Sequence, residues 1–324
     1  MNKKYAILMI LGLLVLGLLP FVGIIKIDLT SLFRENSSSF IFWQLRLPRT
    51  LLGFMAGSSL ALAGLIFQNL FKNSLATPYT LGISSGASAG IVLGIKLHLS
   101  ISLLGINGLV VLGFGGALLS IGVILGIARL VKSYSIYTLL MSGVAINFFF
   151  SSFILITQYL FDFSQTLSIL RWLMGGISIT GYNELLFLLP VYIFFILAAT
   201  LLRKELVIAS AGEDFAYSKG LNIRMFRIIV FITVSFIIGI LVSLVGPIGF
   251  VGLIIPHISR LIFRREFKSV LIFTIISGGL FLAITDFIAR ILIPPVEIPV
   301  GIITSLMGAP FFLFVLISHL RKSR

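Results

Sequence analysis

The sequence predicts an all-α, polytopic membrane protein with about ten transmembrane helices. Hydrophobic residues make up 59% of the 324 residues and charged residues only 10%, whereas roughly 25% of a soluble domain is charged. The segment 246–260 places two prolines and three glycines within apolar sequence. Helix-breaking backbone at membrane depth is tolerated where neighbouring protein or water satisfies it. This segment therefore predicts a helical bundle that encloses a path.

Ten apolar stretches are long enough, or nearly long enough, to cross a bilayer. They are residues 5–25, 51–71, 79–95, 101–128, 136–160, 185–202, 226–245, 248–263, 269–293 and 299–320. Lys3 and Lys4 precede the first stretch, as in a secretory signal peptide, but no clear small-residue cleavage site follows. We expect this stretch to be retained as the first span. An even number of spans places both termini on one side.

The distribution of positive charge predicts the orientation of the spans. Cytoplasmic loops carry an excess of lysine and arginine. With both termini in the cytoplasm, inner segments hold 17 of the 24 lysine and arginine residues. A basic cluster of His257, Arg260, Arg264 and Arg265 then marks one cytoplasmic boundary. The net charge of +14 is thus explained by topology, and we expect no nucleic-acid partner.

The longest polar interruption, residues 203–227, falls on the predicted cytoplasmic side. It contains Ala211-Gly212-Glu213-Asp214-Phe215-Ala216, followed by Lys219-Gly220. An acidic start and a terminating glycine are typical of a short helix, so we predict a helix, turn and helix across the membrane face. An ordinary solvated connector is the alternative interpretation.

A second non-spanning segment, residues 161–183, falls on the predicted external side. It carries Arg171-Trp172 beside Met174-Gly175-Gly176. Tryptophan is enriched at membrane interfaces, so anchoring at the interface is one interpretation of Trp172. The other is that the segment caps or gates the outer mouth of a pathway.

No motif in the chain predicts catalysis, a cofactor or a metal site. Gly82-Ile83-Ser84-Ser85-Gly86 matches the GxSxG pattern of a serine hydrolase, but that elbow needs a strand before its helix and partner histidine and acid residues. Here it opens an apolar helix, so its small residues indicate close helix packing. The chain has no cysteine, scattered histidines and no GxxxxGK[ST] loop, so it is not its own P-loop ATPase.

Four charged residues occupy positions that need an explanation. Asp286 lies inside the ninth stretch, and Arg290 follows one turn later, so an intrahelical pair is the simplest interpretation and a proton relay the alternative. Arg46 and Arg49 precede the second stretch on the predicted external side. They could anchor lipid headgroups, or they could bind acidic residues of an external partner through bidentate contacts.

Residues 46–88, RLPRTLLGFMAGSSLALAGLIFQNLFKNSLATPYTLGISSGAS, resemble the FecCD-type permeases of ABC importers for iron-siderophores, haem and vitamin B12. Further segments stand in the same order as in that family: 171–175, 246–260, 283–290, 294–301 and 307–310. The resemblance thus covers nearly the whole chain. It implies a type II ABC importer permease fold and one transmembrane permease domain over residues 1–324.

The resemblance also implies partners and a location. These are a second permease subunit, identical or homologous, two cytoplasmic ABC ATPases and an external substrate-binding protein, in the bacterial cytoplasmic membrane. Iron-siderophore is the expected cargo, with haem or cobalamin as the alternative. An ion-coupled secondary transporter is the alternative of a different class. It would need paired buried titratable residues, and Asp286 stands alone in the sequence.

Finally, the resemblance implies roles for individual residues. Arg46, Arg49 and Arg290 would dock acidic residues of the binding protein. The cytoplasmic segment 203–227 would be the coupling segment, and it would present to the ATPase the residues Glu213, Asp214, Ala216 and Gly220. For the wall and gate of the pathway we select Ser84, Ser85, Gly86, Asn147, Met174 and Gly175, with helix packing as the alternative for each.

Overall fold

The computed structural model describes residues 3–25, 27–28, 32–34, 36–97, 102–103, 106–263 and 266–322. Arg264 and Arg265 of the predicted basic cluster lie outside these residues. The described helices are α1 (Lys3–Leu18), α2 (Ser37–Phe40), α3 (Leu47–Leu70), α4 (Ile83–Lys96), α5 (Gly108–Leu130), α6 (Ile136–Tyr159), α7 (Phe163–Leu173), α8 (Asn183–Leu201), α9 (Arg203–Ala211), α10 (Glu213–Ser218), α11 (Ile223–Val245), α12 (Val251–Ile262), α13 (Phe267–Ile291) and α14 (Val300–Lys322). Strands β1 (Ser102–Leu103) and β2 (Ile106–Asn107) form one short antiparallel pair.

The predicted all-α fold and its ten apolar helices are confirmed. Six helices in the described part of the chain are long and apolar enough to cross a membrane. Four shorter apolar helices cover Gly12–Phe21, which extends past the end of α1, and Ile83–Lys96, Val251–Ile262 and Val300–Phe314 in α4, α12 and α14. Together they correspond one to one with the ten predicted stretches.

The second span begins earlier than predicted. A six-residue π-helix, Ile41–Arg46, joins α2 to α3, so the helix runs without a break from Ser37 to Leu70. The side chain of Asn36 caps its start by accepting a hydrogen bond from the Ser39 amide at 2.9 Å. Hydropathy placed the start at residue 51 because two arginines interrupt the apolar sequence. The structure gives both arginines partners, so the helix can include them.

Contacts divide the chain into two compact units. The first comprises residues 1–62, 175–190 and 248–324, and the second comprises residues 63–174 and 191–247. That both belong to one permease domain, 1–324, stays a prediction. The unit boundaries fall inside α3 and α8, so neither helix belongs to one unit alone.

In the first unit, α3 and α13 cross at very short range. A Cβ added to Gly57 would collide with the carbonyl oxygen of Gly278 and with Leu282. The two glycines therefore permit backbone contact of the kind that small residues allow between membrane helices. A buried hydrogen bond of 2.9 Å from Thr274 to Ser259 joins α13 to α12.

In the second unit, α4 and α5 cross in the same way. A Cβ added to Gly86 would collide with the carbonyl of Gly116, and one added to Gly116 would collide with the carbonyl of Gly86. Phe67, Phe71 and Phe231 form an aromatic cluster with ring centroids 5.3 to 5.7 Å apart. This cluster packs the end of α3 against α11.

The segment 246–250 forms a turn between α11 and α12. Gly246 has φ +70° after the end of α11, and Phe250 has φ +65° before the start of α12. A positive φ is a natural conformation for glycine, whereas it is uncommon for phenylalanine. Pro256 lies inside α12, which continues past it to Ile262. The turn separates α11 from α12 and leads into a continuous helix.

Candidate functional site

The central charged contact of the first unit joins the start of α3 to the end of α13. Nε of Arg49 donates to Asp286 Oδ2 at 3.0 Å, and Nη2 donates to Oδ1 at 3.0 Å. This bidentate geometry is the strong form of an arginine–carboxylate pair. Asp286 is only 2% exposed and Arg49 15%, so each charge depends on the other for solvation.

Two further residues complete this cluster. Nε of Arg290 lies 3.3 Å from Asp286 Oδ2, so the predicted intrahelical pair is confirmed. Nη1 of Arg49 donates to Glu297 Oε2 at 2.8 Å, and Glu297 is 54% exposed. Asp286 therefore has two guanidinium partners, whereas Glu297 forms the accessible edge of the cluster.

Arg46 has a different environment from that of Arg49. Its guanidinium is buried and donates to the carbonyls of Pro20, Phe21 and Ile25 at 3.3, 3.4 and 2.6 Å. It thus fastens the segment that follows α1 to the start of α3. Backbone carbonyls thus engage both Nη1 and Nη2 of Arg46, and docking by this residue stays a prediction.

One open cavity of about 410 Å³ brings the three predicted docking arginines together. Arg46, Arg49 and Arg290 all line it, and Glu297 lies on the same wall. Counting Asp286, the cluster has three positive and two negative charges, which leaves one net positive charge. Such a cavity suits a carboxylate from another molecule, because a guanidinium fork binds carboxylates with defined geometry.

A second cavity, of about 350 Å³, lies in the second unit, and uncharged polar side chains share its wall with apolar ones. We call it the polar cavity. Ser85 and Asn147, two of the predicted pathway residues, both line it. Further lining side chains are Tyr79, Ser88, Ser151 and Gln158. Among the described residues, Ser88 Oγ and Gln158 Nε2 are buried and have no hydrogen-bond partner. These groups could therefore bind a polar ligand or water.

The other predicted pathway residues lie elsewhere. Gly86 is at the α4–α5 crossing, where its role is helix packing, and Ser84 is buried outside the lining of the polar cavity. Met174, just after α7, is exposed. Gly175 has φ +72°, and its carbonyl accepts a hydrogen bond from the Gly301 amide at 3.2 Å. The alternative of helix packing thus applies to Gly86.

The predicted helix, turn and helix in 203–227 is confirmed as α9 and α10, which are separated at Gly212 with φ +141°. Glu213 pairs with Arg227 of α11, with 2.7 Å between Oε1 and Nη2. Asp214 is exposed, whereas Ala216 is 0% exposed. The methyl group of Ala216 packs inside the chain, and a contact of these residues with the ATPase stays a prediction. Gly220 has φ +76° and ends this element.

Sequence reasoning missed the pairing of Arg49 with Asp286 because the two residues are 237 positions apart. One signal could have found it. The predicted topology places the start of the second span and the end of the ninth span at the same membrane face, so Arg49 and Asp286 share a depth. A buried carboxylate at that depth requires a cationic neighbour.

The FecCD transport family model matches residues 7–318. The chain belongs to the FecCD transport family. It is accordingly a multi-pass membrane permease of the ABC importer class. Among the described residues of this FecCD-family permease, no group of three or more histidine, cysteine, aspartate or glutamate side chains could hold a metal ion.

Several characterised and uncharacterised permeases are similar to this FecCD-family chain. It is 40% identical over 288 residues to the uncharacterised ABC transporter permease protein YvrB of Bacillus subtilis, covering 88% of this chain and 80% of the relative. It is 33% identical to a "probable iron chelatin transport system permease protein" of Helicobacter pylori, covering 87% and 83%. It is 34% identical to the vitamin B12 import system permease protein BtuC of Yersinia enterocolitica, covering 89% and 84%.

A solved structure supports the same assignment. The structure is described as an inward-facing conformation of a transporter assigned to the metal-chelate type of ABC transporter. The two chains align with a TM-score of 0.86 at 27% sequence identity, over 98% of this chain and 100% of the other. The predicted fold of an ABC importer permease is thus confirmed.

Proposed function

We propose that this permease moves an iron chelate, such as a ferric siderophore, across the bacterial cytoplasmic membrane, powered by separate ATPase subunits. The observation that carries the proposal is the open cavity lined by Arg46, Arg49 and Arg290 in a FecCD-family chain. The iron chelatin permease of Helicobacter pylori and the metal-chelate type transporter support an iron chelate as cargo. The vitamin B12 permease of Yersinia enterocolitica supports cobalamin as the alternative.

In this proposal, the cavity lined by Arg46, Arg49 and Arg290 faces outwards and receives an acidic side chain of the substrate-binding protein. Arg49 and Arg290 supply the charge, whereas Arg46 shapes the wall by holding the segment after α1. Glu297 pairs with Arg49 at the accessible edge. A carboxylate from the binding protein can exchange with Glu297 there, because an exposed ion pair contributes little stability.

Replacement of Arg290 by glutamine should weaken capture of the loaded binding protein by about tenfold or more, since truncating one member of a partly buried charge pair mainly speeds dissociation. The bidentate contact between Arg49 and Asp286 remains in this variant, so the fold should persist. The dissociation constant would be measured by surface plasmon resonance with the transporter in nanodiscs. The matched control is Arg171→Gln, because Arg171 is an exposed arginine on α7. This variant should bind the loaded binding protein as tightly as the wild type does. Equal affinity for the Arg290 variant and the wild type would contradict docking at this cavity.

We further propose that the polar cavity of the second unit is part of the translocation pathway. Its named polar side chains are hydroxyls and amides, so it offers hydrogen bonds but no ionised ligand for iron. A chelate is carried with its metal already coordinated, so weak neutral contacts suit transit better than metal ligands. The external 161–183 segment, with Met174 exposed beside α7, would gate this path.

The substrate is tested by uptake into proteoliposomes that contain the permease, its ATPases and its binding protein. A ferric hydroxamate or catecholate should accumulate at least about tenfold faster than haem or cyanocobalamin at equal concentration, a difference in kcat/KM that corresponds to about 1.4 kcal/mol. Faster uptake of cobalamin or haem would reassign the cargo and leave the permease function intact. Empty liposomes and ADP in place of ATP are the controls.

Further subunits complete the proposed transporter. A second permease subunit, identical or homologous, forms the other wall of the path, and two ABC ATPases bind the cytoplasmic face. On that face, residues 203–227 present Asp214, Phe215 and Tyr217 as exposed side chains of α10. Both termini then lie in the cytoplasm, in agreement with the excess of positive charge in the inner segments.

The structure disfavours the ion-coupled alternative. A proton-carrying carboxylate must release its cationic partners when it is protonated, and Asp286 has two of them. Both oxygens of the Asp286 carboxylate are already engaged by the guanidinium groups of Arg49 and Arg290, as in a fixed structural ion pair. The cluster therefore fits a fixed structural and docking role.

A further inference from the structure

Arg227 of α11 joins three separate elements of the second unit through one guanidinium group. Nη1 donates to the carbonyl of Tyr134, in the turn between α5 and α6, at 2.7 Å. Nη2 donates to Glu213, the first residue of α10, at 2.7 Å. Arg227 is only 4% exposed, unlike the arginines of ordinary surface ion pairs, which contribute little.

The partners of Arg227 in these two hydrogen bonds, Tyr134 and Glu213, cannot move independently of each other. A guanidinium is planar and rigid, so its donors keep a fixed angle to one another, whereas a lysine ammonium is a point charge on a flexible stem. A displacement of α10 therefore acts on α11 and on the α5–α6 turn together. Nε of Arg227 is buried and has no hydrogen-bond partner in the described part of the chain. An unsatisfied buried donor calls for an explanation, and a role of Arg227 in positioning its two partners supplies one.

Arg224, one turn earlier on α11, provides a contrast. It is exposed, its Nη2 donates to the Tyr134 hydroxyl at 2.9 Å, and its guanidinium stacks 4.2 Å from the centre of the Tyr134 ring. It touches the same turn, but no hydrogen bond or ion pair among the described residues joins it to α10. Arg227 thus differs from its neighbour in reaching the helix, turn and helix of residues 203–218.

We propose that Arg227 is a positioning residue that transmits movement of α10 to α11 and to the α5–α6 turn during the transport cycle. Glu213 is then the residue of α10 through which the movement reaches Arg227. Its carboxylate binds Arg227 and does not serve as a ligand for the ATPase. The inference rests on the proposed function, because it assigns the moving element to the ATPase-facing segment. It identifies how that segment is fastened to a membrane helix.

Arg227→Lys should lower substrate imported per ATP hydrolysed by about tenfold, because one ammonium cannot satisfy both partners in the fixed geometry of the fork. The fully assembled transporter in proteoliposomes would be assayed for ATP hydrolysis and uptake in parallel. ATP hydrolysis should stay within about twofold of the wild type, since the ATPases themselves are unchanged. Arg224→Gln is the matched control and should keep the wild-type ratio. A normal ratio for Arg227→Lys, or an equal loss for Arg224→Gln, would overturn the proposal.

Glu213→Gln is a second variant, which keeps the proposal testable if Arg227→Lys fails to fold. Its side chain is half exposed and keeps an acceptor for Arg227, so the fold should be retained and the coupling ratio should fall by a smaller factor than in Arg227→Lys. Uptake equal to the wild type in both variants would contradict the role of the contact. Uptake restored by Glu213→Gln in the background of Arg227→Lys would contradict it as well.

A distance measurement separates this inference from the proposed function. The chain has no cysteine, so Tyr217→Cys on α10 and Tyr137→Cys on α6, both exposed, can carry spin labels at defined positions. The wild type should give one narrow distance distribution in nanodiscs, and Arg227→Lys a broader one. An unchanged distribution would refute the contact even if transport is ATP-driven. A broadened distribution without any ATP-driven uptake would refute the proposed function and leave the mechanical contact in place.

Discussion

Replacing Asp286 with asparagine is expected to destabilise the folded chain by about 3–5 kcal/mol, the usual cost of removing one partner of a buried ion pair. The change preserves shape but leaves Arg49 and Arg290 without their shared carboxylate. Arg49 then keeps only the exposed carboxylate of Glu297 as a counter-charge, and Arg290 loses its ion pair within α13. We expect a lower yield of folded protein and a lower midpoint of unfolding when sodium dodecyl sulfate is titrated into mixed micelles.

Glu297→Gln is the matched control for this prediction. It removes a carboxylate from the same cluster, but Glu297 is 54% exposed, so the loss should be below about 1 kcal/mol. The midpoint of unfolding should therefore move much less than in Asp286→Asn. If the two variants unfold at the same point, the buried cluster does not stabilise the first unit as described.

The second large effect is expected for Gly116→Leu, at the crossing of α4 and α5. A Cβ at this position would collide with the backbone of Gly86, so the helices must separate before any larger side chain can fit. Overpacking of a close contact costs typically 1–3 kcal/mol, and a backbone carbonyl cannot move aside as a side chain can. The change should lower the unfolding midpoint and the uptake rate.

The neighbouring glycine on the same helix is the control for this prediction. Gly115 is exposed, and a Cβ there meets nothing within 4 Å. Gly115→Leu should therefore leave the midpoint unchanged or raise it slightly, since leucine has a higher helix propensity than glycine. Equal tolerance of leucine at both positions would mean that α4 and α5 do not pack at this crossing. It would then return Gly86 to the list of pathway candidates.

Most of the helices could be predicted because their signal is local. A span is an unbroken apolar stretch of about 20 residues, and the short segment 79–95 was recognisable as α4 despite its glycines. The glycine-terminated α9 and α10 were predictable from an acidic residue and a helix-ending glycine. Hydropathy failed at the start of the second span, where Arg46 and Arg49 lie inside the helix.

The contacts that define the candidate site depend on tertiary structure. The intrahelical pair of Asp286 and Arg290 follows from their spacing, whereas the stronger contact to Arg49 comes from a distant segment. No spacing rule predicts that backbone carbonyls of residues 20–25 satisfy Arg46. Likewise, the burial of Ala216 depends on how α10 packs, and the sequence of α10 alone does not determine that packing.

The most direct test of the proposed function is substrate accumulation in proteoliposomes that contain the permease, its ATPases and its binding protein. We predict that a ferric chelate accumulates only when ATP and the loaded binding protein are both present, and that a proton or sodium gradient without ATP produces no uptake. Accumulation by the permease alone, driven by an ion gradient and independent of ATP, would contradict its assignment as the permease subunit of an ATP-powered importer.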